Sequence, residues 1–164
     1  MNIKCCVALA LAAVLAGAQG PTPAFAFDLT GAGARFGSVD PEGRDMTPTF
    51  GAHLEFQSVD SRVHLQPGFL YWSKERLSDV NPNMDLYYHF APAGQVSPYL
   101  GAGVGLHFYA FDGAGDPGTD AGANLLGGVL FPASSTSFFI EGRYAATDRS
   151  QASILAGFTA RLGH

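Results

Sequence analysis

From residue 27 onward, apolar and polar side chains alternate with a period of two, in runs broken by clusters of Pro, Gly, Asp, Asn and Ser. Successive side chains of a β-strand point to opposite faces, so this period predicts strands. No convincing helical pattern follows residue 26. Eight segments result: 29–39, 49–58, 62–74, 84–91, 99–111, 121–131, 136–146 and 151–162. Most are near the roughly 9–11 residues that a tilted strand needs to cross a bilayer. Pro98 stands at the start of the fifth, where a missing N–H is tolerated, and Pro67 inside the third predicts a bulge.

The two rows of each segment differ in character. Phe50, Ala52, Leu54 and Phe56 oppose Gly51, His53, Glu55 and Gln57; Leu86, Tyr88 and Phe90 oppose Asp85, Tyr87 and His89. In the fifth segment Leu100, Ala102, Val104, Leu106 and Phe108 oppose Tyr99, Gly101, Gly103, Gly105, His107 and Tyr109. Phe138, Ile140, Gly142 and Tyr144 oppose Phe139, Glu141, Arg143 and Ala145, and Ile154, Ala156, Phe158 and Ala160 oppose Ser153, Gly157, Thr159 and Arg161. The sixth alternates least clearly, because Leu126 and Leu130 share a row with Asn124.

Together the polar rows carry three cations (Arg35, Arg143, Arg161) and three anions (Glu55, Asp85, Glu141), with His53, His64, His89 and His107 among them. A buried charge without a partner costs several kcal/mol, whereas equal numbers of each sign can pair. The pattern therefore predicts an all-β fold: a closed antiparallel up-and-down transmembrane β-barrel of about eight strands. The apolar rows would face lipid, and these ten residues would form a polar network inside. Such a barrel is too narrow for an open channel. Inner-row Gly101, Gly103 and Gly105 would make room for long side chains opposite. Aromatics near segment ends (Phe36, Phe50, Tyr71, Trp72, Tyr87, Tyr88, Tyr99, Phe108, Tyr109, Phe131 and Tyr144) are expected to form interfacial girdles. Connections 40–45, 75–83 and 112–120 are polar and longer, the expected exposed loops. Those at 59–61 and 132–135 are shorter, while 92–98 and 147–150 depart from the trend.

Composition sharpens this picture. Charged residues make up 14% of the chain, against about 25% in ordinary soluble domains, while Gly numbers 21 and aromatics reach 12%. The net charge of −5, or −6 without Lys4, and the lack of any basic run exclude a nucleic-acid partner. The first 26 residues stand apart: Lys4, an apolar run from Cys5 to Ala18, then Ala24-Phe25-Ala26. These are the parts of a secretory signal cleaved after Ala26, leaving residues 27–164 as the barrel domain. Both cysteines, Cys5 and Cys6, fall in that signal, so the mature domain must be stabilised without disulfides.

Ser97-Pro98-Tyr99-Leu100-Gly101-Ala102-Gly103-Val104-Gly105 resembles the PYxGxGxG strand of small bacterial outer-membrane β-barrels. Phe139-Ile140-Glu141-Gly142-Arg143-Tyr144 resembles their penultimate strand. The resemblance spans most of residues 27–162. It implies a monomer in the cell outer membrane, with the lipid bilayer, lipopolysaccharide and the barrel-assembly machinery as partners, and Glu141 and Arg143 pointing inward. The chain departs from that family at its end, Arg161-Leu162-Gly163-His164, where a terminal aromatic is usual.

Other chemistry is poorly supported. Gly101 to Gly105 lacks the G-x-G-x-x-G spacing and following helix of a dinucleotide loop. Asp112, Asp116 and Asp120 lack the acidic residue that completes a calcium loop. The inner histidines are expected to bond to tyrosines and carboxylates rather than to a metal, so no cofactor is expected. Ser137 and Ser153 lie on inner rows out of reach of lipid, and no enzyme is expected. Three roles remain: an envelope-structural or surface-interacting barrel, a narrow pore or small-ligand carrier, and a soluble lipocalin-like barrel with inside and outside exchanged.

Overall fold

A computed structural model of the chain describes residues 27–43, 45–58, 62–91, 96–111 and 118–162. The expected signal at 1–26, with Cys5 and Cys6, lies outside them, as do Asp112, Asp116 and His164. The strands are β1 (Phe27–Pro41), β2 (Thr47–Ser58), β3 (Val63–Lys74), β4 (Leu77–His89), β5 (Ser97–Phe111), β6 (Gly118–Pro132), β7 (Thr136–Ala146) and β8 (Gln151–Arg161). Each pairs antiparallel with its neighbours in chain order, and β1 closes on β8 from Gly31↔Arg161 to Pro41↔Gln151, so no edge is left unpaired.

Burial alternates along the strands as the hydropathy does. Leu100, Val104 and Leu106 on β5 are exposed, as are Phe138 and Ile140 on β7 and Ile154 on β8. Between them Tyr99, His107, Phe139, Glu141, Arg143 and Leu155 are buried. Charges are enclosed and aliphatic side chains face outward, the reverse of a soluble barrel.

Three local expectations are corrected. Residues 75–83 are not a loop: Glu75 (φ 56°) and Arg76 make a turn, and β4 begins at Leu77. In that stretch Asp79, Asn81 and Asn83 are buried and line the barrel. Asp, Asn and Pro break soluble strands, but a polar lumen needs polar inward residues. Pro67 makes no bulge, because the β2–β3 register is the same at His53↔Gly68 as at Phe56↔Leu65. The register shift lies in β1, between Leu29 and Gly31. With β4 extended, the loop-bearing end keeps connections at 42–46, 75–76, 112–117 and 147–150 and the other end 59–62, 90–96 and 133–135, so length hardly separates the ends.

The girdle is also smaller than expected. Phe36, Phe50, Tyr88, Phe108, Phe131 and Tyr144 are exposed on the outside, but Trp72, Tyr87, Tyr99 and Tyr109 point inward and are buried. Each of these four can bury its ring and keep a polar tip for the lumen.

Candidate functional site: the barrel interior

The lumen is packed in tiers. Toward the end carrying the 75–76 turn, Val39, Trp72, Leu77 and Tyr109 form an apolar plug backed by Phe111. The Arg149 guanidinium lies over the Tyr109 ring, 5.1 Å from its centroid. Beneath the plug Asp79 is fully buried. Its Oδ2 accepts from Trp72 Nε1 at 3.1 Å and Gln151 Nε2 at 3.1 Å, and stands 2.7 Å from His107 Nδ1.

The middle tier holds two cations and two anions. Arg143 Nη2 donates to Asp85 Oδ2 at 2.8 Å and to Glu141 Oε1 at 3.2 Å. Glu141 Oε2 accepts from Tyr87 and Tyr99 hydroxyls at 3.2 and 3.1 Å. Arg35 Nη2 donates to Gln66 Oε1 at 2.7 Å, and its Nη1 lies 3.8 Å from Glu141. Asn124 Nδ2 donates to Asp85 Oδ1 at 3.1 Å. These ions come from β1, β4 and β7 and meet inside the lumen. Small inner residues make this possible: a Cβ on Gly105 would stand 2.6 Å from Asn81 Nδ2, and one on Gly128 2.6 Å from the Tyr99 hydroxyl.

Toward the chain termini, Tyr87, Tyr99, Leu126 and Phe139 form a second plug. His53 bonds Thr159 Oγ1 at 2.9 Å beside the Phe139 ring. At the mouth His64 Nδ1 lies 3.5 Å from Glu55 Oε1, and the His64 and His89 rings stand 4.2 Å apart. Their partners are more open here, with the His64 and Glu55 side chains 15% and 18% exposed.

Of the ten residues expected inside, Arg35, His53, Asp85, His107, Glu141 and Arg143 are buried in the lumen, and Glu55, His64 and His89 are half-buried near its mouth. Arg161 is not among them. It ends β8, is exposed, and reaches the Ser134 carbonyl at 3.3 Å, because the chain has reached the barrel rim there. No other arginine among the described residues takes its place among the inner ions; the ion that sequence reasoning missed is an anion, Asp79, together with the neutral Asn81 and Asn83. Period-two continuation backward from Asp85 through Asn83 and Asn81 was the signal that could have found it. Among the described residues no three His, Asp or Glu side chains are grouped to hold a metal. Asp120 accepts from the Asp148 backbone N–H at 2.8 Å.

A closed barrel with its ions enclosed and its aliphatic rows outside defines the class, a small eight-stranded transmembrane β-barrel. No family model matches the chain and no curated protein does. Solved structures do. Neisserial surface protein A is similar at a TM-score of 0.69 and 14% identity, over 84% of this chain and 99% of that one. The N-terminal β-barrel domain of Pseudomonas aeruginosa OprF gives 0.61 and 15%, over 84% and 100%. Ail, the attachment invasion locus protein of Yersinia pestis, gives 0.55 and 16%, over 82% and 97%. At these identities what is shared is the fold.

Proposed function

We propose that the chain is an outer-membrane barrel with a structural or surface-interaction role in the envelope, and that it neither conducts nor catalyses. In this reading residues 1–26 direct export and are removed after Ala26. The assembly machinery then inserts residues 27–164 as a monomer among lipids and lipopolysaccharide, with the termini on the periplasmic side and the ends of the β1–β2, β3–β4, β5–β6 and β7–β8 connections outside. The carrying observation is the lumen: its ions pair with one another between two apolar plugs, and the void beside the first plug measures only about 10 Å³. A water molecule alone needs about that much. The paired network thus serves to fill and hold the barrel, leaving the rims and connections as the parts that meet other molecules.

Envelope fractionation with heat-modifiable gel mobility, followed by conductance across a planar bilayer, tests this. Retention with the outer membrane and no steady current are expected. A steady current would favour the narrow-pore reading, and release into the periplasmic fraction without detergent would favour a soluble carrier.

A further inference from the structure

A void beside the first plug, lined by its Val39 and Trp72, lies between the Asp79–His107 pair and the Arg143 network and is lined by residues of both. Four of the lining side chains each keep one buried polar atom without a hydrogen-bond partner: Asp79 Oδ1, His107 Nε2, Asn124 Oδ1 and Arg143 Nη1. All four residues are at least nine-tenths buried. Buried polar groups are almost always satisfied, so four such atoms on side chains that line one void point to an occupant.

The chemistry of the four atoms selects it. Arg143 Nη1 can only donate; Asp79 Oδ1 and Asn124 Oδ1 can only accept, the latter because Asn124 Nδ2 already donates to Asp85. A cation would meet the Arg143 guanidinium, and an anion would meet the Asp79 carboxylate and the Asn124 carbonyl. Only a neutral species that both donates and accepts suits both sides, and at about 10 Å³ there is room for one water and nothing larger.

We propose that this void is a binding site for a single long-lived water. The water accepts from Arg143 Nη1 and shares its two hydrogens among Asp79 Oδ1, Asn124 Oδ1 and His107 Nε2. With the His107 Nδ1 hydrogen directed to Asp79 Oδ2, Nε2 is left as the lone-pair nitrogen that receives the water's hydrogen. The water joins the two polar tiers into one network, from Trp72 of the first plug and Gln151 beneath it to Glu141 and Tyr99 at the second.

Water-to-protein cross-relaxation NMR on the refolded barrel in lipid nanodiscs tests the assignment. Cross-peaks of a long-lived water are expected at the Asn124 side-chain amide and the His107 ring, with the His107 nitrogens showing hydrogen on Nδ1. Ala145 also lines the void. Ala145→Val should abolish both cross-peaks while heat-modifiable mobility persists. No water contact at either side chain of the unmodified barrel would overturn the proposal. So would retention of both cross-peaks in a folded Ala145→Val barrel, or shifts at both side chains on adding chloride or magnesium, which would make the occupant an ion. Should Ala145→Val fail to fold, the measurement on the unmodified barrel decides alone.

Discussion

Two carboxylate–histidine groups sit toward opposite ends of this barrel and differ in how much the fold depends on them. Asp79 and His107 are 2.7 Å apart, both essentially inaccessible, and Trp72 and Gln151 also bond the same carboxylate oxygen. Glu55 and His64 are 3.5 Å apart at a mouth where each keeps some exposure. The chemistry is the same, but removing a partner from the enclosed pair strands buried polar groups, whereas solvent can replace a partner at the open one. Depth in the lumen, more than residue type, sets what an ion contributes.

That comparison can be broken by substitution. Arg143→Ala should have the largest effect, since it leaves Asp85 and Glu141 enclosed without their shared cation: about 3–5 kcal/mol of stability lost. Urea unfolding from lipid vesicles would measure it, with Trp72, the single tryptophan, as the fluorescent reporter. Asp79→Ala should come close behind, at about 3 kcal/mol, because Trp72, Gln151 and His107 all lose an acceptor. Val104→Arg puts a charge on the outward row at the centre of β5 and should cost about 2–4 kcal/mol in the same assay if that row meets the bilayer midplane. Glu55→Ala should cost no more than about 1 kcal/mol, and less at high salt. Equal losses for Asp79→Ala and Glu55→Ala would dissolve the distinction between the two ends.

What the sequence makes legible follows the same line. Where an apolar row opposes a polar one, as in β2, β5, β7 and β8, the strand and its inward face are plain from the alternation. Legibility fails where the lumen imposes its own demands. The first half of β4 has Asp79, Asn81 and Asn83 inward and Pro82 outward, residues that read as a turn when the environment is assumed to be water. Aromatic rings are ambiguous for a related reason: Tyr88 on the outside and Tyr87 on the inside differ only by parity. The apolar inner residues Leu126 and Leu155 show that the lumen is not uniformly polar, since rings and aliphatic side chains seal it at both ends. Arg161 falls on the expected row, but one strand end too far to be enclosed.

The central claim is that the aliphatic rows lie in lipid and the ions lie within. The two cysteines precede residue 27, so single cysteines can be placed in the barrel domain for spin labels without a competing thiol. Labels at successive positions from Leu100 to Phe108 on β5, in bilayers, should alternate in collision with dissolved oxygen, high at even residues and low at odd ones. Higher oxygen collision at Gly101, Gly103, Gly105 and His107 than at Leu100, Ala102, Val104 and Leu106, or uniform access to a water-soluble nickel reagent, would contradict the account.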